Sequence, residues 1–130
     1  TTGSILLLFP GEWHNYEPDP STGWDEYWIG FQGDNMETLV QNGFFCEQKK
    51  VFNVGLSLEV IQLFRMAISV ATEQKAGFQQ ILGGITNLLL GMTHSLDKLQ
   101  SFSQSQPMQL INKAKRVSGA FAKVFKCAKA

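Results

Sequence analysis

Cysteine and histidine are scarce in this chain of 130 residues, with two of each. Cys46 and Cys127 lie in opposite halves and form neither a C-x-x-C pair nor a disulfide framework. They read as two free thiols in a reducing compartment, which places the chain in the cytoplasm. His14 and His94 fall on different predicted elements, and a mononuclear metal site gathers three or four N, O or S ligands. His14 with Glu12 makes at most half a site, so no metal and no cofactor is expected. Long hydrophobic runs are missing too. The apolar run at 5–9 is far too short to span a bilayer, and it lacks the charged flank and cleavage site of a signal peptide. No membrane partner is expected. Also missing are a nucleophile–base pair, a phosphate-cradling glycine loop and paired carboxylates on one clear surface. The chain therefore does not read as an enzyme.

Positive charge is absent from the first 37 residues, which carry seven acids. The balance reverses at the other end, where residues 107–130 hold six Lys or Arg and no acid. The acidic portion repels nucleic acid, so any DNA contact of this chain falls to that tail. Lys113, Lys115, Arg116, Lys123, Lys126 and Lys129 read equally well as a solvated helix face or as phosphate contacts. They lack the second helix of a helix-turn-helix.

What the chain does have is aromatic rings: ten Phe, three Trp and two Tyr. They crowd the stretch 9–33, FPGEWHNYEPDPSTGWDEYWIGFQG. Residues 4–9 read as a buried strand stopped by Pro10-Gly11. Residues 13–17 continue after that turn, and residues 18–23 are a loop by composition. Residues 24–32 alternate as a second strand. Trp24, Glu26, Trp28, Gly30 and Gln32 face one way; Asp25, Tyr27, Ile29 and Phe31 make the more apolar face. Such a hairpin has two readings. Its rings fill the core of a small sheet, or Trp28, Tyr16 and Glu26 line a pocket, where Trp stacks on the C–H face of a sugar and the polar groups bond its hydroxyls.

Helical patterns follow. Asp34 with Glu37 resembles a capping box ahead of a helix over 36–41, which Asn42-Gly43 ends. Residues 50–54 are a short strand or extended link. Ser57 caps a long helix to about Gln74, with Leu58, Ile61, Phe64, Ile68 and Ala71 on one face. Gly77 breaks the chain. A second long helix over 78–100 carries a stripe that includes Ile81, Leu82, Ile85, Leu88, Leu89 and Met92. The stripe is core alone, or core together with a dimer face. Gly83-Gly84 costs helix stability, roughly 1 kcal/mol per Gly, which a close backbone crossing would explain. Residues 101–107 form a Ser/Gln linker.

The hairpin residues carry a resemblance. Gly3-Ser4-Ile5-Leu6-Leu7-Leu8-Phe9-Pro10-Gly11-Glu12, then His14 and Tyr16, then Trp24 and Trp28-Ile29-Gly30-Phe31-Gln32-Gly33, resemble the sensor domain of AraC-type transcriptional regulators over roughly residues 3–117. In that family a strand enters a PGE-x-H-x-Y turn and returns as W-x-x-x-W-I-x-F-x-G. The resemblance implies an effector-binding, dimerising domain with a cupin-like barrel, two helices and a linker to a DNA-binding domain. It implies effector contacts at Tyr16 and Trp28, with Glu26 where arabinose-responsive members have histidine, which favours another sugar-like ligand. It places the dimer face on Ile81, Leu82, Ile85, Leu88, Leu89 and Met92, and so expects a homodimer. Against the family pattern the domain reads as cut short at both ends, with weak or no effector affinity of its own and DNA reached only through a domain absent here.

The fold expected is therefore α+β: a small antiparallel sheet, part of a cupin-like barrel, packed with two long antiparallel helices. The partition expected is 1–55 sensor sheet with a short helix, 56–101 helical dimerisation hairpin, and 102–130 linker and start of the DNA-binding domain. The function expected is sensing and dimerisation within an AraC-type regulator. Alternatives are a cupin-type enzyme on a sugar or small acid, which would need bound metal, and a stand-alone interaction module, which would pair with another protein.

Overall fold

The chain's first strand finds its partner far along the sequence. In the computed structural model, which describes residues 2–105, β1 (Ser4–Leu6) pairs antiparallel with β2 (Val51–Asn53). Ser4 stands opposite Asn53, Ile5 opposite Phe52 and Leu6 opposite Val51. Backbone bonds extend the ladder at both ends: Leu7 N–H donates to the Lys50 carbonyl at 2.8 Å, and Val54 and Gly55 donate to the Gly3 carbonyl at 2.9 and 3.0 Å. The expectations for the basic tail and Cys127 fall outside the described residues.

Gly3 is required by this closure. Its φ is +81°, and a Cβ there would sit 2.6 Å from the Gly55 carbonyl carbon. Gly3→Ala should lower stability by about 1–2 kcal/mol from the left-handed backbone alone, with the clash in addition. Urea denaturation checks this; an unchanged midpoint would mean that β1 and Gly55 separate freely.

Three helices complete an α+β architecture: α1 (Asp34–Gln41), α2 (Leu58–Glu73) and α3 (Phe78–Ser105). At α1 the residue ahead of the helix is Gly33, and no side chain caps it, so the capping box expected at Asp34 does not form. The helix does end at Asn42-Gly43, where Gly43 takes φ +74° and Phe44 N–H bonds the Leu39 carbonyl at 2.9 Å. Ser57 caps α2 as expected, its Oγ accepting from Val60 N–H at 3.3 Å. Gln74 in the left-handed region and then Gly77 separate α2 from α3. The α3 helix runs on to Ser105, through most of the segment expected to be linker. Ser and Gln cost a helix only tenths of a kcal/mol, so composition alone did not end it.

Two apolar clusters form the core. The first joins Val60 and Ala67 of α2 to Ile85 and Leu89 of α3, with Ile5, Ile29, Leu63, Phe64, Val70, Leu82, Met92 and Leu96 against them. The buried face of α2 therefore follows Val60, Leu63, Phe64, Ala67 and Val70, while Leu58 and Ile68, expected inside, are exposed. The second cluster joins Phe45 and Phe52 to Leu90, flanked by Leu7, Phe9, Met36 and Leu39. Each such fully buried side chain contributes roughly 1.5–3 kcal/mol. Thr86 and Thr93, buried on α3, return their hydroxyls to the Leu82 and Leu89 carbonyls at 2.8 and 2.7 Å, so neither is left unsatisfied.

A polar tie crosses from the sheet to α3. The turn Cys46–Lys49, closed by Lys49 N–H to the Cys46 carbonyl at 3.1 Å, brings Lys49 Nζ onto the buried Asp97 carboxylate. The other Asp97 oxygen accepts from Asn53 N–H at 3.1 Å, and Lys49 Nζ also lies 4.9 Å from the Phe52 ring centroid. Asp97 is the last residue of one compact unit. Residues 98–105 belong to a second unit; they continue the helix, with Lys98, Leu99 and Phe102 exposed. No helix among the described residues is long and apolar enough to cross a membrane.

Candidate ligand-binding site

The aromatic stretch does not form the hairpin ladder that its alternation predicts. Residues 12–33 make no strand, and β1 is paired with β2 instead. A strand needs a partner's backbone to receive its N–H and C=O groups, and this stretch pairs with neither β1 nor β2. The alternation itself persists. Tyr27 stacks on Phe64 of α2 with centroids 5.7 Å apart, and its hydroxyl accepts from Arg65 Nε at 3.4 Å. That hydroxyl raises the Arg65 pKa, holding the guanidinium charged. Ile29 packs on the first core cluster, and Phe31 faces the helices α2 and α3 across a cleft. Of the more apolar face, Ile29 packs on the core and Tyr27 leans on α2, while Asp25, Tyr27 and Phe31 remain exposed.

The other face is open. Trp28 is 83% exposed, and Tyr16, Trp24 and Glu26 are exposed as well. Tyr16 stands between two rings, 6.2 Å from His14 (centroid to centroid, interplanar 18°) and 6.0 Å from Trp24 (32°). His14 Nδ1 also lies 3.1 Å from the Glu12 carbonyl. The loop tip is self-bonded: Asp19 accepts from the Ser21 hydroxyl and from Ser21 and Thr22 N–H, and these bonds lower its pKa. The structure brings Tyr16 to Trp24 and His14. It does not join Tyr16, Glu26 and Trp28 by ring contact or hydrogen bond. His94, on α3, packs edge-on against Phe44 and Phe45 at 5.3 and 6.2 Å, well apart in role from His14. Among the described residues no three His, Cys, Asp or Glu side chains gather where they would hold a metal.

The six α3 residues expected on a dimer face divide sharply. Ile85 and Leu89 are buried in the chain's own core, with Leu82 and Met92 packed against it. Ile81 and Leu88 are exposed, 48% and 52%. Gly84, Gly91 and Ser95 are exposed beside them, and 81, 84, 88, 91 and 95 repeat at the three-and-four spacing of a coiled-coil seam. Local pattern reading merges both faces into one stripe, because hydrophobicity does not say which side meets the chain itself. The tie between Lys49 and Asp97 escaped it altogether; single charges far apart in sequence carry no spacing signal.

The AraC-like ligand binding domain matches residues 1–111, and the chain belongs to that family. It is thus a ligand-sensing regulatory domain, of a family that is regulatory and not catalytic. No curated protein and no solved structure matches the chain significantly.

Proposed function

We propose that the chain is the sensor and dimerisation part of an AraC-type transcriptional regulator acting in the cytoplasm. The observation that carries this reading is the family match together with an uncovered aromatic ledge. Tyr16, Glu26 and Trp28 contact a small polyhydroxylated, sugar-like effector. The indole of Trp28 offers a flat apolar surface, and Tyr16 and Glu26 offer hydroxyl and carboxylate to the ligand's hydroxyls. In an intact regulator the β1–β2 pair belongs to a cupin-like barrel, and operator DNA is met through a separate DNA-binding domain. The α2–α3 pair forms an antiparallel hairpin whose outer face is the homodimer contact. Ile81, Gly84, Leu88 and Gly91 form that contact, and Leu82, Ile85, Leu89 and Met92 hold α3 in place beneath it. Two observations support the seam. Among the described residues, beyond the helix's own adjacent backbone, no atom lies within 4 Å of a Cβ built on Gly84 or Gly91. Each glycine nevertheless costs the helix roughly 1 kcal/mol, which a partner helix approaching closely would explain.

The effector part is tested by indole N–H resonances, of which the three Trp give three. Titration with neutral aldoses should move the Trp28 signal saturably at millimolar ligand, leave Trp13 in place, and lose the response in Tyr16→Ala. No movement of Trp28 with any neutral sugar would remove the sugar-like effector from the reading.

A further inference from the structure

Residues 28–36, α2 and α3 enclose an open cleft of about 580 Å³ within the first compact unit. That size lies within the range of small-molecule sites, roughly 300–1,000 Å³. Its floor is apolar and rigidly backed, with Phe31, Phe64, Ala67 and Leu82 among its lining. Phe64 is held by Tyr27 stacked on it, and Ala67 belongs to the first core cluster.

The rim has a different chemistry. Gln32, Asn35, Gln79 and Asn87, all exposed, are among the lining residues and carry side-chain amides. None of these amides is hydrogen-bonded to another described residue, whereas the buried Thr86 hydroxyl is satisfied by the Leu82 carbonyl. Each amide offers two donors and an acceptor. Asp34 is the one ionisable group of the lining, and no cation faces it. An anionic ligand would therefore meet a like charge without a counter-ion, while a neutral one meets matched donors and acceptors.

Gly83 adds an independent observation. It lies inside α3, where glycine costs roughly 1 kcal/mol relative to alanine, and it lines the cleft. Beyond the helix's own adjacent backbone, a Cβ built on it meets nothing within 4 Å among the described residues, so their packing does not demand glycine there. What its missing side chain provides is room in the cleft.

We propose that this cleft, which Trp28 of the aromatic ledge borders, is a second small-molecule site, for a neutral and mostly apolar ligand with one or two carbonyl or hydroxyl oxygens. The ring system lies on Phe31, Phe64 and Leu82, and its oxygen meets the amides of Gln79 or Asn87. Such a ligand touches α3 at Gln79, Leu82, Gly83 and Asn87, next to the outward row of Ile81, Gly84 and Leu88. It would thus bear directly on the position of that helix. The site shares Trp28 with the sugar-like effector's ledge and does not depend on dimerisation.

The probe is prodan, a neutral naphthalene ketone whose emission shifts to the blue in apolar surroundings. The full chain should give a saturable blue shift. Gly83→Met should weaken binding at least about tenfold. It should not lower the melting temperature, because methionine is the better helix former. Tyr16→Ala should leave prodan affinity unchanged, because Tyr16 is not among the cleft's lining residues. The anionic dye anilinonaphthalene sulfonate should bind more weakly than prodan. The proposal is overturned by an absence of saturable prodan binding, by equal affinity in Gly83→Met, or by loss in Tyr16→Ala. Tighter binding of the sulfonate would overturn the neutral ligand class.

Discussion

Lys49→Met should destabilise the chain by about 2–4 kcal/mol in urea denaturation, far beyond what a surface ion pair is worth. The reason is the asymmetry of the pair. The Lys49 side chain is nearly half exposed and can turn to water, but the Asp97 side chain is only 6% exposed. Removing the lysine leaves a buried carboxylate short of its cation, and desolvation is then offset mainly by hydrogen bonds such as that from Asn53 N–H at 3.1 Å. Asp97→Asn should cost less, about 1–2 kcal/mol, because an amide oxygen still accepts from Asn53 and no charge is stranded. The double variant should therefore recover part of the Lys49→Met loss, giving a coupling of roughly 1–3 kcal/mol. A Lys49→Met midpoint within about 0.5 kcal/mol of the parent would show that the tie holds nothing. The consequence reaches function, because this tie fastens β2 to α3. A ligand that moves the sheet residues would pull on the helix carrying the proposed dimer seam.

The helices and the two strand segments, 4–9 and 50–54, were legible in the sequence and the pairing of the strands was not, for a physical reason. Ser57, Gln74 and Gly77 mark the α2 and α3 boundaries by local chemistry: a hydroxyl that caps, a left-handed residue, and a glycine with φ of +81°. A strand is defined by its partner, and β1 finds its partner at residues 51–53, which no local pattern in 4–9 announces. The stretch 24–32 shows the same limit from the other side. Its alternation puts Ile29 on the core and Tyr27 against Phe64, although Tyr27 and Phe31 stay exposed, and alternation cannot supply the neighbouring backbone that makes a ladder. On α2, periodicity placed the apolar face at Leu58, Ile61, Phe64, Ile68 and Ala71; Phe64 does pack on the core, but burial otherwise follows Val60, Leu63 and Ala67. Both rows are apolar, and only packing against α3 chooses between them. At the candidate site the ledge residues were legible from their aromatic crowding. The cleft was not, since its amides and glycine come from three separate elements.

Leu88 and Leu89 are neighbours whose substitution should give opposite outcomes, and the largest effect expected anywhere in the chain is at Leu89. Leu89 is 5% exposed and packs with Val60, Ala67 and Ile85, so Leu89→Glu places an unpaired carboxylate in the core. Loss of the buried apolar group alone costs about 2–5 kcal/mol, and the buried charge adds to it. That variant should lose its cooperative thermal transition altogether, a result visible by circular dichroism. Leu88 lies on the outward row with Ile81, Gly84 and Gly91, so Leu88→Glu disturbs nothing inside the chain. It should keep the parent's spectrum and melting transition. Across a dimer seam, however, two carboxylates and their partners' apolar surface would meet at close range, and sedimentation should show a monomer where the parent is a dimer. Ile81→Glu should behave in the same way. A parent chain that sediments as a monomer, or a Leu88→Glu variant that remains a dimer, would remove α3 as the dimer contact. Because Leu88→Glu retains the fold, a monomer there reports on association alone. Leu89→Glu cannot make that distinction, since any dissociation it causes would follow from unfolding.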